Sequence, residues 1–119
     1  MASVVVYIDD EPALCRIFRL ILSRLPACEV VTFTDPKAAL AYIHENPVTV
    51  VVCDYRMPDL NGLQVLDAIE KKIPFFLVSG DLSVKALAGD DARVTGVLTK
   101  PLPPERLVDL LLPMIPVRA

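Results

Sequence analysis

The stretch VTVVVCDYRMPDLNG, residues 48–62, decides how the rest of the chain is read. Val48–Cys53 lacks the polar alternation of a sheet with one wet face. A short continuous run of this kind predicts a strand covered on both faces, as in a parallel sheet. It is the most apolar run in the chain, so it is expected to be the central strand. It stops at Asp54, and Tyr55–Gly62 follows as a loop with two turn-forming pairs, Met57-Pro58 and Asn61-Gly62.

Outward from this stretch the same unit repeats. Val4–Ile8 is an apolar run ending in Asp9-Asp10-Glu11, and Pro12 can open a helix because its missing N–H costs nothing at the first helical position. Leu14, Ile17, Phe18, Ile21, Leu22 and Leu25 follow at helical spacing, with Arg16, Arg19, Ser23 and Arg24 on the other face and Pro26 as the stop. Glu29–Phe33 reads as a strand, rich in β-branched residues. Asp35-Pro36 starts a helix that runs through Ala38, Ala39, Ala41, Tyr42 and Ile43 to Asn46-Pro47. Beyond the central stretch, Leu63, Leu66 and Ile69, with Val65 as a further candidate, give a third helix ended by Lys71, Lys72 and Pro74. Phe75–Val78 is a strand ending at Ser79-Gly80, and Leu82–Ala88 a short helix broken by Gly89. Gly96–Leu98 is a fifth strand ending at Thr99-Lys100-Pro101. Pro104 opens a last helix carrying Leu107, Val108, Leu110, Leu111 and Ile115, whose end Pro113 disturbs.

Five strands alternating with helices predict an α/β fold, a doubly wound five-stranded parallel sheet with helices on both faces. The 119 residues suit one domain, 1–119, with no room for a separate output domain. Hydrophobic residues at 54% and charged residues at 23% exclude disorder. A net charge of −3 argues against direct nucleic-acid binding, and no apolar stretch approaches the roughly 20 residues that span a membrane. No phosphate-cradling GxxxxGK[ST] or GxGxxG is present. Cys15, Cys28 and Cys53 form no CxxC or Cys/His cluster and read as reduced thiols, and no secretory signal is recognised, so a cytoplasmic location is expected.

In open α/β sheets ligands sit beyond the carboxyl ends of the strands. Asp9-Asp10, Asp54, Ser79 and Lys100 all fall at such ends. Singly, each has an ordinary explanation: a cap, a turn, a solvated lysine. Jointly they point to chemistry. Three carboxylates in one crevice repel unless a cation intervenes, and Mg²⁺ suits such oxygen ligands. Asp54, ionised at neutral pH without a general base, is the candidate nucleophile toward a phosphoryl group. Lys100 and the Ser79 hydroxyl could bind the phosphoryl oxygens, with Gly80 leaving room beside them. Pro101 argues for a fixed backbone after Lys100, with a cis bond as one option.

The ordered set Asp9-Asp10-Glu11-Pro12, Asp54 with Met57-Pro58, Ser79-Gly80 and Lys100-Pro101 resembles a response-regulator receiver domain of two-component signalling, over the whole chain. The resemblance implies a flavodoxin-like (βα)5 fold with strand order 2-1-3-4-5. It implies Asp54 as phosphoacceptor, with Ser79 and Lys100 completing the catalytic set. It further implies Mg²⁺ held by Asp10, Asp54 and the backbone carbonyl of Arg56, with Asp9 acting through water. The donor would be a sensor histidine kinase or histidine phosphotransfer protein, and an unidentified downstream protein would read the switch. The chain would catalyse its own phosphoryl transfer without being a metabolic enzyme. His44, in the second helix, is expected on the surface rather than as a donor. Val97 stands where many receivers carry Tyr or Phe, so the read-out would pass through packing around Val97. Arg56 and Asp81 border the path of attacking water in the family; they could pair and slow hydrolysis, or simply be solvated.

Two other readings compete. A haloacid-dehalogenase-like phosphohydrolase also uses a strand-end Asp with Mg²⁺ and Lys, but wants a second Asp where Arg56 stands. A pseudo-receiver would keep the fold and never be phosphorylated. Leu107, Val108, Leu110, Leu111 and Leu112 span more than one helix face, which leaves a homodimer through the last helix open. Val117-Arg118-Ala119 fits a natural end or a cut linker.

Overall fold

A computed structural model describes residues 3–25, 28–101 and 103–115. The elements alternate as expected: β1 Ser3–Ile8, α1 Pro12–Leu22, β2 Cys28–Phe33, α2 Pro36–Glu45, β3 Val50–Asp54, α3 Gly62–Ala68, β4 Phe75–Ser79, α4 Leu82–Ala88, β5 Gly96–Thr99 and α5 Pro104–Leu111, with a 3₁₀ turn at Leu112–Met114. All strands are parallel, in the order β2-β1-β3-β4-β5. This is the flavodoxin-like doubly wound sheet that the alternation and the resemblance anticipated.

The sheet is apolar on both faces because both are covered. On one, Val5, Tyr7, Val50, Val52, Phe76 and Val78 pack against Phe18 and Leu22 of α1 and Leu107 and Leu111 of α5. On the other, Val6, Ile8, Val51, Cys53, Phe75 and Leu77 pack against Ala39 and Ile43 of α2 and Val65 and Leu66 of α3. Each fully buried Val or Leu contributes about 1.5–3 kcal/mol. This is why the Val-rich β1 and β3 occupy the middle, β3 being buried along its whole length.

Local chemistry sets the helix starts. Asp35 accepts the Lys37 N–H ahead of Pro36, and Asn61 and Gln64 form a reciprocal capping box at the start of α3. Several expected boundaries move. β3 begins at Val50 rather than Val48, although the Thr49 N–H already bonds the Val4 carbonyl of β1 at 2.8 Å. α1 ends at Leu22, and the proline expected to stop it, Pro26, lies outside the described residues. Ile17 was expected on the apolar side of α1 but is 44% exposed, because the sheet and α5 cover only a narrow stripe centred on Cys15, Phe18 and Leu22. α3 ends at Ala68, with Ile69 already extended, and Lys71 is drawn across to the Ile43 and Asn46 carbonyls at 2.7 and 3.2 Å. α5 ends at Leu111; Ile115 lies beyond it yet is buried. Of the apolar residues expected to spread around α5, Leu107 and Leu111 are in the core and Leu112 is exposed. The chain end at 117–119 lies outside the described residues.

Candidate functional site

Strand register brings the acidic residues together. Ile8 pairs with Cys53, so one residue further on Asp9 stands beside Asp54 at the carboxyl ends of β1 and β3. Asp9 is 0% exposed and Asp54 5%, while Asp10 is half-buried at the rim. One carboxylate oxygen from each of Asp9, Asp10 and Asp54 can be chosen so that all lie within 4.8 Å of one another. Hard oxygen donors at this spacing match the needs of a small divalent cation.

β5 supplies the counter-charge. Lys100 follows Thr99, is tied back by its N–H to the Ser79 carbonyl at 2.9 Å, and precedes a cis bond to Pro101. Its Nζ lies 3.2 Å from Asp54 Oδ1 and 3.8 Å from Asp9 Oδ2. The Asp54 carboxyl is held above its ordinary range, first by burial, while Lys100 opposes this and Asp9 adds to it.

Ser79 ends β4, next to β3, and is buried. Its Oγ accepts the Asp81 N–H at 3.0 Å, which leaves its own proton free to be donated. The loops after β3 and β4 are joined by an Arg56–Asp81 ion pair at 2.7 Å, so of the two options for these residues the paired one is found. Asp81 also caps α4, accepting the Ser83 hydroxyl at 2.7 Å and the Ser83 N–H at 2.9 Å; these bonds, then Arg56, pull its carboxyl down to about 2. His44 is on the exposed face of α2, its Nε2 3.1 Å from the Ala68 carbonyl. Val97 is half-buried against the α2/α3 side of the core.

Two neighbours were absent from the sequence reading. Tyr7 donates its hydroxyl to Asp9 Oδ2 at 2.9 Å, and Cys15 Sγ donates to the Asp9 carbonyl at 3.3 Å. Burial, then the Asp9 charge, pushes the Tyr7 phenol far above its usual range, so it acts as a donor. The signal for Tyr7 was its spacing, because residues two apart on a strand share a face. A groove of about 720 Å³ at the other end of the sheet, lined by residues such as Leu66, Ile69, Ile73 and Thr95, includes none of these groups.

A doubly wound sheet with an acidic cluster, a hydroxyl and a lysine converging beyond its strand ends is the architecture of a signalling receiver. The chain belongs to the response regulator receiver domain family, whose family model matches residues 5–112. Among relatives, regulatory protein VanRc of Enterococcus gallinarum is 30% identical over 115 residues, 91% of this chain and 48% of that protein. Transcriptional regulatory protein KdpE of Mycobacterium tuberculosis is 33% identical over 103 residues, 83% of this chain and 45% of that protein. Among solved structures, chemotaxis protein CheY4 of Vibrio cholerae superposes with a TM-score of 0.84 at 25% identity, covering 96% of this chain and 99% of that one. The chain spans about half the length of these curated relatives. It is thus a receiver domain of two-component systems, and no helix among the described residues is long and apolar enough to cross a membrane.

Proposed function

We propose that the domain is a phosphorylation-dependent switch. Asp54 accepts a phosphoryl group from a phosphohistidine on a sensor histidine kinase or phosphotransfer protein, and the charge gained changes affinity for a downstream protein. The observation that carries this reading is the Lys100 ammonium 3.2 Å from Asp54 Oδ1 inside an otherwise acidic crevice.

The chemistry follows from charge. An Asp54 oxygen attacks phosphorus, the P–N bond to the donor imidazole breaks, and the electron pair leaves with the imidazole, which water can reprotonate. Lys100 and the Ser79 hydroxyl receive phosphoryl oxygens. Asp10, Asp54 and the Arg56 carbonyl would hold Mg²⁺, with Asp9 acting through water. When bound there, the ion supplies the positive charge that lets one anion approach another. The product places about −1.5 to −2 charge at one point, which biases the loops carrying Ser79 and Lys100 between two arrangements.

Intact-protein mass after incubation with a small acyl phosphate and MgCl₂ tests the reading. One phosphoryl adduct is expected in the parent chain and none in Asp54→Asn. Absence of an adduct with any donor favours an inert interaction module. Steady turnover of a small phosphate ester favours the phosphohydrolase reading.

A further inference from the structure

The β1 position of Tyr7 lies in the hydrophobic core under α1. Val5 precedes it on the same face, Val52 and Thr32 are its register partners on β3 and β2, and its ring packs against that of Phe18, tilted by 40° with centroids 4.7 Å apart. Packing alone would be served there by a residue with no hydroxyl. The hydroxyl instead reaches out of this core to the one fully buried carboxylate of the crevice. Asp9 has both oxygens engaged: Oδ1 accepts the Glu11 N–H at 3.0 Å, and Oδ2 accepts Tyr7 at 2.9 Å. Lys100 stands within ion-pair reach of both Asp9 Oδ2 and Asp54 Oδ1, and is nearer to Asp54.

We propose that Tyr7 is a positioning residue whose hydroxyl holds Asp9 and thereby keeps the Lys100 ammonium on the acceptor, Asp54. A buried carboxylate oxygen deprived of its donor takes another. The Lys100 ammonium is the mobile cation already at its edge, so without the hydroxyl it shifts toward Asp9. That movement withdraws it from Asp54 and sets it in competition with a metal ion for the acidic cluster. Tyr7 therefore acts as an outer support of the proposed cation site, as partners behind metal ligands generally do. The inference deepens the proposed function and rests on it.

The test is calorimetric titration with MgCl₂ alone, no phosphodonor present, on the parent chain, Tyr7→Phe, Lys100→Met and the double variant. Phe keeps the ring and its packing against Phe18. The dissociation constant for Mg²⁺ is expected to rise about tenfold in Tyr7→Phe. In the Lys100→Met background the same change is expected to alter it by less than about twofold, because no ammonium remains to relocate. An unaltered or lowered constant in Tyr7→Phe overturns the proposal. So does an equal loss with and without Lys100, or a parent chain that binds no Mg²⁺. In the parent chain, proton NMR with labelled tyrosine is expected to reveal a slowly exchanging Tyr7 hydroxyl that persists when Mg²⁺ is added; its absence also overturns the proposal, even if Tyr7→Phe fails to fold. Failure of the proposed function reads differently: the parent chain then binds Mg²⁺ and yields no phosphoryl adduct.

Discussion

Arg56 and Asp81 each stand two residues beyond a site residue, and their ion pair ties the β3–α3 and β4–α4 loops together next to Asp54. Asp81 stays ionised down to about pH 2, so the pair persists throughout the neutral range. Both partners are exposed enough for solvent to screen them, so the pair is weak and its effect on a rate is a few-fold at most. On the proposed function, Arg56→Ala is therefore expected to shorten the lifetime of the phosphoryl group on Asp54 by a few-fold at most. Decay of the intact-mass adduct measures it, and the difference should shrink at high salt. An unchanged lifetime would mean that the pair does not obstruct water. At this scale a polar residue interrupting an apolar run marked the strand ends, as at Asp9, Asp54 and Ser79. Tyr7 gave no such mark because within Val4–Ile8 it counts as one more large apolar residue, and its hydroxyl acquires meaning only from the acid two positions on.

At the scale of elements, α3 is set against β3 by Gly62. A Cβ there would collide with the Leu77 side chain and stand 3.1 Å from the Asp54 carbonyl and 3.2 Å from the Tyr55 Cα. The Gly62 N–H also bonds the Tyr55 carbonyl at 2.8 Å, which closes the loop below Asp54. Backbone cannot give way as a side-chain tip can. Gly62→Ala is thus expected to cost about 1–3 kcal/mol, read as a lower midpoint in urea unfolding with an unchanged slope. Helix starts were legible because Pro12, Asp35-Pro36, Asn61 and Pro104 act locally. Helix ends were less so. Nothing local announces that α3 stops at Ala68, because Lys71 is anchored by carbonyls of a different helix. The exposure of Ile17 was hidden for a related reason: periodicity fixes the direction of an apolar stripe, but its neighbours fix the width.

For the molecule as a whole, the crevice trades stability for charge. The carboxyl pKa of Asp54 is raised in the fold, chiefly by burial. A raised folded value means that the native state is favoured below the unfolded value, near 3.9, and that this advantage is lost as pH rises through the folded value. At neutral pH the metal-free protein bears that loss, and Asp54→Asn does not. The variant is expected to melt higher, by about 4 °C per kcal/mol. MgCl₂ at 100 times its dissociation constant is expected to stabilise the parent chain by about 2.7 kcal/mol and the variant by far less, so the order of melting narrows or reverses. Calorimetric melts at neutral pH, with and without the salt, check both. The parallel doubly wound sheet was readable from alternation, whereas its strand order came from the resemblance alone, because periodicity does not say which strands are neighbours. The rim opposite the crevice has a practical use. Glu70 and Lys72 point to solvent there, before the five residues of β4. At about 3.3 Å per residue they stand roughly 17 Å away from the strand end that carries Ser79. A dye or surface tether attached through either one leaves the acidic end of the molecule facing open solution.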